Sequence, residues 1–384
     1  MQLFILALIL LLSQNVANAQ TISDKKFSKT NSPVFVADGF ANFSATDFDQ
    51  KPNLGNDSQL FLKTGVMTQS HVKYGAVAKL ELNVNTDGRR QNPNLDQVFL
   101  FAEGAAGKFE FGNIYAVNQK MKTGPASFAR GAGGINGKYL EGVNLAAANS
   151  FILLAQSPIG HGGYASNASQ KNNFRALKDN SFDGVEDSNK ISYTTPRIEG
   201  LQIGASYAPN SQNSGATATK YYHNSVATIK DVLSFGVNYA QDFDNLGVEI
   251  SATAEKGRVK KTADARQNLF AYDMATTLTY FGFSLGASYG SWQNSLQKSA
   301  EASAANYYTL GLGYGFGPVA ASLTSIKSKF QKNDYAAISL GLDYKLAKDL
   351  MPYVELTKFT LKPSGTSFKT NQGYVFLTGI LISF

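Results

Sequence analysis

Cysteine is absent from the chain. That excludes a disulfide framework, thiolate chemistry and Cys-based metal sites. An exported chain without such staples has to draw its stability from a large sheet or core. Histidine is nearly absent too: His71, His161 and His223 show no HxH or HxxxH spacing, which gives a metal little to bind. No GxSxG nucleophile motif is present. "GAGG" (131–134) lacks the GK[ST] and the strand–loop–helix context of a phosphate loop. The expectation is therefore a protein with no catalytic residues, no metal and no cofactor. Charge is scarce at 16%, too little for an ordinary soluble surface. After residue 19 no apolar run approaches the ~18 residues of a membrane-spanning helix, so helices are excluded as the main membrane architecture. The net charge of +7 is spread over scattered residues rather than basic runs, and no nucleic-acid partner is expected.

The start of the chain reads as a removable leader. Leu3 to Leu12 form a ten-residue apolar stretch, too short to span a bilayer. Ala17-Asn18-Ala19 then has the small-x-small form of a signal-peptidase site, although the two residues before the stretch carry no Lys or Arg. The expectation is a signal peptide over 1–19 and a single domain over 20–384.

What is abundant points to strands: aromatics are 12%, with 19 Tyr and 26 Phe, and there are 35 Gly against 10 Pro. The dominant period is two. In "VKYGAVAKLELNV" (72–84) one face carries Val72, Tyr74, Ala76, Ala78, Leu80, Leu82 and Val84; the other carries Lys73, Gly75, Val77, Lys79, Glu81 and Asn83. A half-buried antiparallel sheet in water would alternate in the same way, but no amphipathic helix is available to cover these apolar faces. A short pattern recurs five times: "IGASY" (203–207), "FGVNY" (235–239), "LGASY" (285–289), "LGLGY" (310–314) and "LGLDY" (340–344). Its Tyr falls on the apolar face and its Gly on the other. Tyr207, Tyr239, Tyr289, Tyr314 and Tyr344 are thus candidates for an interfacial aromatic girdle. Short connections, at 104–107, 196–200, 242–245, 315–318 and 346–349, alternate with long ones near 45–57, 85–93, 115–188, 209–230, 257–267, 293–305 and 360–372. Tight turns on one rim and long loops on the other are the pattern of an all-β transmembrane antiparallel barrel in a Gram-negative outer membrane. Counting the alternation gives sixteen strands from near Val34 to Phe384, of which the first (34–44) and thirteenth (319–328) alternate poorly. "GYVFLTGILISF" (373–384) places Tyr374, Phe376, Thr378, Ile380, Ile382 and Phe384 outward and is expected to close the barrel against the first strand. Hydrocarbon offers no partner to an open edge.

Several stretches resemble Gram-negative general porins of the alphaproteobacterial type: "QVFLFAEGAAGKFEFGN" (97–113), "NKISYTTPRIEGLQIGASY" (189–207), "YKLAKDLMPYVELTKF" (344–359) and the closing strand with its Phe384. The resemblance implies a sixteen-stranded, usually trimeric channel for passive diffusion of small hydrophilic solutes, set in outer-membrane lipid. It also implies that the third long loop folds into the lumen as a constriction, and that Phe384 is read by the barrel-assembly machinery. The sequence departs from the pattern in the length of 115–188, which leaves room for a lid or short helix, and at Ile382, where an aromatic is common.

In such a channel, selectivity depends on charge at the narrowest point. Constriction candidates in 115–188 are Lys120, Lys122, Arg130, Lys138, Glu141, Asp179 and Asp183, and "GPASFARGAGGINGKY" (124–139) supplies the glycine that a loop turning in a confined lumen needs. Pore-wall candidates are Lys63, Lys73, Lys79, Lys108 and Glu110. The expectation is that basic strand residues face acidic loop residues across the opening, with the +7 total tilting preference weakly towards anions. Two alternatives of other kinds stand beside it. A sugar- or phosphate-specific channel would show an ordered aromatic row or a tight cationic cluster in the lumen. An adhesive or structural barrel would pass no sugars in liposome swelling.

Overall fold

The computed structural model describes residues 33–48, 51–82, 95–130, 132–135, 152–153, 164–165, 188–210, 229–260, 265–297, 299, 302–330, 332–362 and 370–384. Residues 1–32, and with them the expected leader, lie outside this set. The first strands are β1 (Val34–Phe48), β2 (Lys51–Met67), β3 (Lys73–Glu81), β4 (Leu95–Gly104) and β5 (Gly107–Asn113). A minor pair, β6 (Ile152–Leu153) and β7 (Tyr164–Ala165), lies within the long connection. The wall continues with β8 (Asn189–Thr194), β9 (Leu201–Asn210), β10 (Ile229–Phe243), β11 (Leu246–Val259), β12 (Leu269–Tyr280) and β13 (Phe283–Gln293). It ends with β14 (Ala305–Phe316), β15 (Val319–Phe330), β16 (Asn333–Tyr344), β17 (Leu350–Lys362) and β18 (Asn371–Ser383).

Apart from β6 and β7, these strands form one closed antiparallel barrel of sixteen, each paired with its neighbour in chain order. The two strands whose alternation is weakest in the sequence, β1 and β15, both form. Closure is made by β1 and β18, in register from Phe40↔Ser383 to Phe48↔Val375. Reciprocal backbone hydrogen bonds between Gly39 and Phe384 (3.0 and 3.1 Å) extend that seam. The seam uses 39–48 rather than 34–44, because the start of β1 pairs with β2 alone.

The two faces of the wall differ as the period of two requires. Outward positions are exposed and apolar, as at Phe235, Val237, Ile250, Leu285, Leu310, Leu340 and Phe376. Inward neighbours are buried and small or polar, as at Ser206, Ser234, Asn238, Ser251, Thr253 and Thr324. An exposed apolar belt of this extent suits hydrocarbon rather than water. Towards the long-connection rim the inward face turns apolar, and Ile229, Leu269, Trp292, Phe330, Phe359 and Val375 join one buried cluster. This accounts for the imperfect alternation of the last strand, whose Val375 and Leu377 point into the barrel and are buried.

One expected long connection is not a loop. The stretch 45–57 continues as a ribbon, with β1 and β2 paired out to Phe48↔Lys51, so the backbone satisfies its hydrogen bonds by pairing. On the same rim β15 and β16 are joined by only residues 331–332.

Candidate functional site: a strap bedded on the inner wall

After β5 the chain crosses the barrel interior as a strap, residues 114–135. It contains a single helical turn, α1 (Val117–Lys120), and two short 3-10 turns at Pro125–Ser127 and Ala132–Gly134. Its backbone is satisfied by inward side chains of the wall. Val117 N–H donates to Ser206 Oγ (3.2 Å), Asn238 Nδ2 to the Met121 carbonyl (3.2 Å), and Thr123 N–H to Ser251 Oγ (3.1 Å). Further along, Gly133 N–H donates to Glu355 (3.2 Å), Thr324 Oγ1 to the Gly133 carbonyl (2.7 Å), and Tyr335 Oη to the Gly134 carbonyl (2.8 Å).

The strap lies this close because the wall beneath it has no side chains at chosen points. Those points are the five glycines of the recurring pattern. A Cβ on Gly204 would stand 2.7 Å from Val117 Cγ1, and one on Gly236 2.7 Å from Met121 Sδ. On Gly286 it would meet Phe128 Cζ at 2.8 Å, and on Gly311 Pro125 Cβ at 2.4 Å. On Gly341 it would meet Ser322 Oγ at 2.6 Å and Ala129 Cβ at 3.2 Å. Contacts below 3.0 Å cannot be accommodated in a close-packed interior without movement. The pattern therefore encodes both faces: Tyr outward, and three residues earlier a glycine bed for the strap.

The strap is also stapled by charge. Described residues 114–135 include three cations and no carboxylate. Lys120 pairs with Glu110, which also holds Lys108 at 2.9 Å. Lys122 lies 3.1 Å from Asp273 and 2.6 Å from Tyr307 Oη, whose hydroxyl donates to the same Asp273. Arg130 Nε reaches Asp343 at 3.1 Å. Thr123 Oγ1 adds a hydrogen bond to Glu249 (2.9 Å). The polarity is the reverse of the sequence expectation, since here basic strap residues meet acidic strand residues. The acidic loop candidates Glu141, Asp179 and Asp183, with Lys138, lie outside the described residues. Burial draws Lys120 down to about 8 despite its Glu110 partner, and Lys122 is lowered for the same reason, opposed by Asp273.

The roots of the long connection are tied by Lys190, a fully buried residue. Its ammonium donates to the Ile114 carbonyl, where the chain leaves β5, and to the Ser188 carbonyl (2.7 Å), where it returns. Of the wall candidates, Lys63 pairs with Asp38 (2.8 Å) and lies over the Phe61 ring. Lys79 donates to Tyr115 Oη (3.0 Å), and Lys73 is partly buried on the same face. The five girdle tyrosines point outward but divide between rims. Tyr207 and Tyr289 lie near the long-connection ends of β9 and β13; Tyr239, Tyr314 and Tyr344 lie near the short-turn ends of β10, β14 and β16. Among the histidines, His71 sits exposed in the β2–β3 turn, and the other two fall outside the described residues.

The family model described as Gram-negative porin matches residues 15–363. The chain belongs to the Gram-negative porins. This porin is accordingly an outer-membrane channel for passive diffusion. It is 26% identical over 367 residues to an uncharacterized protein of Rickettsia conorii, covering 80% of each chain. It is 30% identical over 264 residues to one of Rickettsia typhi, covering 53% of the porin and 60% of that protein. Among solved structures, the anion-selective porin from Comamonas acidovorans superposes with a TM-score of 0.59 at 18% identity, covering 92% of this porin and 100% of that one. The trimer form of OmpT from Vibrio cholerae gives 0.58 at 11%, covering 92% and 100%. At such identities the two structures speak for the fold alone.

Proposed function

We propose that this porin is a general diffusion pore of weak ionic selectivity, narrowed by the 114–135 strap. The observation that carries the reading is the pairing of all three strap cations with wall carboxylates: Lys120–Glu110, Lys122–Asp273 and Arg130–Asp343. Opposite charges joined along one seam cancel at a distance, whereas a selective filter needs a ring of one sign. On the β1–β5 wall the inward lysines 63, 73 and 79 are matched in number by Asp38, Glu81 and Glu103, while Lys108 shares Glu110 with Lys120. The expected reversal potential in a planar bilayer under a tenfold KCl gradient is close to zero, with cation and anion permeabilities within about threefold. A preference above about tenfold for either sign would overturn the reading.

Three further points belong to the same proposal. The porin assembles as a homotrimer, as the OmpT trimer form does; sedimentation of a monomer from mild detergent would end that idea. Residues 1–19 are a signal peptide, tested by N-terminal sequencing of the membrane-extracted chain. By family resemblance, Phe384 is read by the assembly machinery. Deleting it should then impair insertion more than a Phe384→Leu exchange does, and equal insertion of both would refute it.

A further inference from the structure

One group of polar atoms on the inner wall is left over by the strap. Thr253 and Glu255 on β11 and Asp273 on β12 share the inward face beside Lys122. Thr253 stands directly opposite Asp273, and Glu255 stands opposite Ala271, one same-face step along. Opposed residues lie about 5 Å apart and diagonal ones about 7 Å, so these three side chains can reach a common point. All are withdrawn from solvent: Asp273 is 0% exposed, Glu255 2% or less at 1%, and Thr253 5%. Asp273 Oδ2 takes the Lys122 ammonium and the Tyr307 hydroxyl. Its Oδ1, both Glu255 carboxylate oxygens and Thr253 Oγ1 have no hydrogen-bond partner of good geometry among the described residues. Glu255 feels the Lys122 charge and lies near the Asn118 side chain.

Charge is unbalanced at the same place. Two carboxylates, Glu255 and Asp273, face the single ammonium of Lys122, and Ala271 and Leu269 on the same face belong to the buried apolar cluster. A surplus charge in a dry interior is too costly to stand unneutralised. A proton would neutralise it, but one proton links only two of the four bare oxygens, whereas a metal ion can take all of them. Thr253 points the same way, because its buried Oγ1 carries no charge and yet is left bare opposite Asp273. Donors that are all oxygen select a hard cation, and a surplus of one negative charge selects a monovalent one.

We infer that β11 and β12 hold a small alkali-metal ion beside the strap, liganded by Glu255, Asp273 Oδ1 and Thr253 Oγ1. The ion is buried between wall and strap rather than set in the conduction path, so the inference stands apart from the selectivity of the pore. It is tested by thermal unfolding of the full-length protein in detergent, in NaCl or KCl against choline chloride of equal ionic strength. An ion bound only by the folded state stabilises it by mass action. The midpoint is therefore expected to climb about 2 °C per tenfold rise in alkali ion and to stay flat in choline. Glu255→Gln removes the surplus charge and should abolish the alkali response. Thr253→Val keeps the side-chain shape and should weaken the apparent affinity about tenfold. Asp334→Asn, at an exposed position on the outer face, should keep the full response. Equal slopes in alkali and choline salts would overturn the inference, as would an alkali response that both Glu255→Gln and Thr253→Val leave intact. A midpoint indifferent to alkali ions but falling as pH rises would overturn it in favour of a proton. A response to CaCl2 alone would overturn the monovalent charge count.

Discussion

Asp273 is wholly withdrawn from solvent, and its charge is answered by Lys122 and by the Tyr307 hydroxyl. Removing one partner of a buried pair costs about 3–5 kcal/mol, because the remaining charge has nowhere to go. Lys122→Met should therefore lower the unfolding temperature and raise open-channel noise as the strap loosens. Adding Asp273→Asn should recover much of both, and a single variant as stable and quiet as wild type would argue against the staple. Lys120 gives a prediction in pH. Its value near 8 means that raising pH from 7 to 9 discharges it and leaves Glu110 with Lys108 alone. The lumen then gains one net negative charge, so reversal potentials should move towards cation preference over that range, and Lys120→Met should abolish the movement. The linkage runs the same way. The folded chain releases this proton before the unfolded chain does, so the shift destabilises at neutral pH, and the penalty fades between about 8 and the ordinary lysine range. At this scale sequence named the right cations in Lys120, Lys122 and Arg130, and Glu110 on the wall, but not which carboxylate each cation meets. Asp273 and Asp343 lie on strands more than a hundred residues away, and no spacing announces such a contact.

Strand and strap are matched as elements. The recurring Gly-x-x-Tyr unit was legible as a repeat, and its Tyr as an outward residue, from alternation alone. The reason for the glycine was not, because it depends on a second element pressed against the wall. Gly286→Val and Gly311→Val should each lift the strap off its bed at Phe128 and Pro125, changing single-channel conductance and lowering the voltage at which the channel closes. Gly104→Ala, whose Cβ would meet only Val72 Cγ2 at an ordinary 3.4 Å, supplies the contrast, with conductance expected to match wild type. Unchanged conductance in both valine variants would mean that the glycines are not a bed. The tyrosines also show how element direction intervenes. Because neighbouring strands run oppositely, one motif places its Tyr at alternate rims, so a single list of tyrosines becomes two girdles.

For the molecule as a whole, the seam decides whether there is a barrel. Tyr353 on β17 stands opposite Gly379 on β18, and its hydroxyl reaches across that glycine to Asn42 Oδ1 on β1 (2.9 Å). Three strands are thereby joined over the closing pair. Tyr353→Ala should lower the temperature at which the detergent-solubilised barrel unfolds on a gel, and Gly379→Val, whose Cβ would lie 2.4 Å from the hydroxyl, should do the same. Asn42→Ala should have a smaller effect, about 1 kcal/mol, since it removes only the hydrogen bond. By itself the sequence determined the class of fold, the strand count, the outward face and the closing role of the last strand. Those follow from a period of two and from the need of every backbone group in hydrocarbon for a partner. Tertiary structure alone decided which carboxylate meets which strap cation, why glycine recurs on the inner face, and that 45–57 is paired ribbon. These depend on residues distant in the chain being brought within a few ångströms by closure, and a one-dimensional pattern carries no such distances.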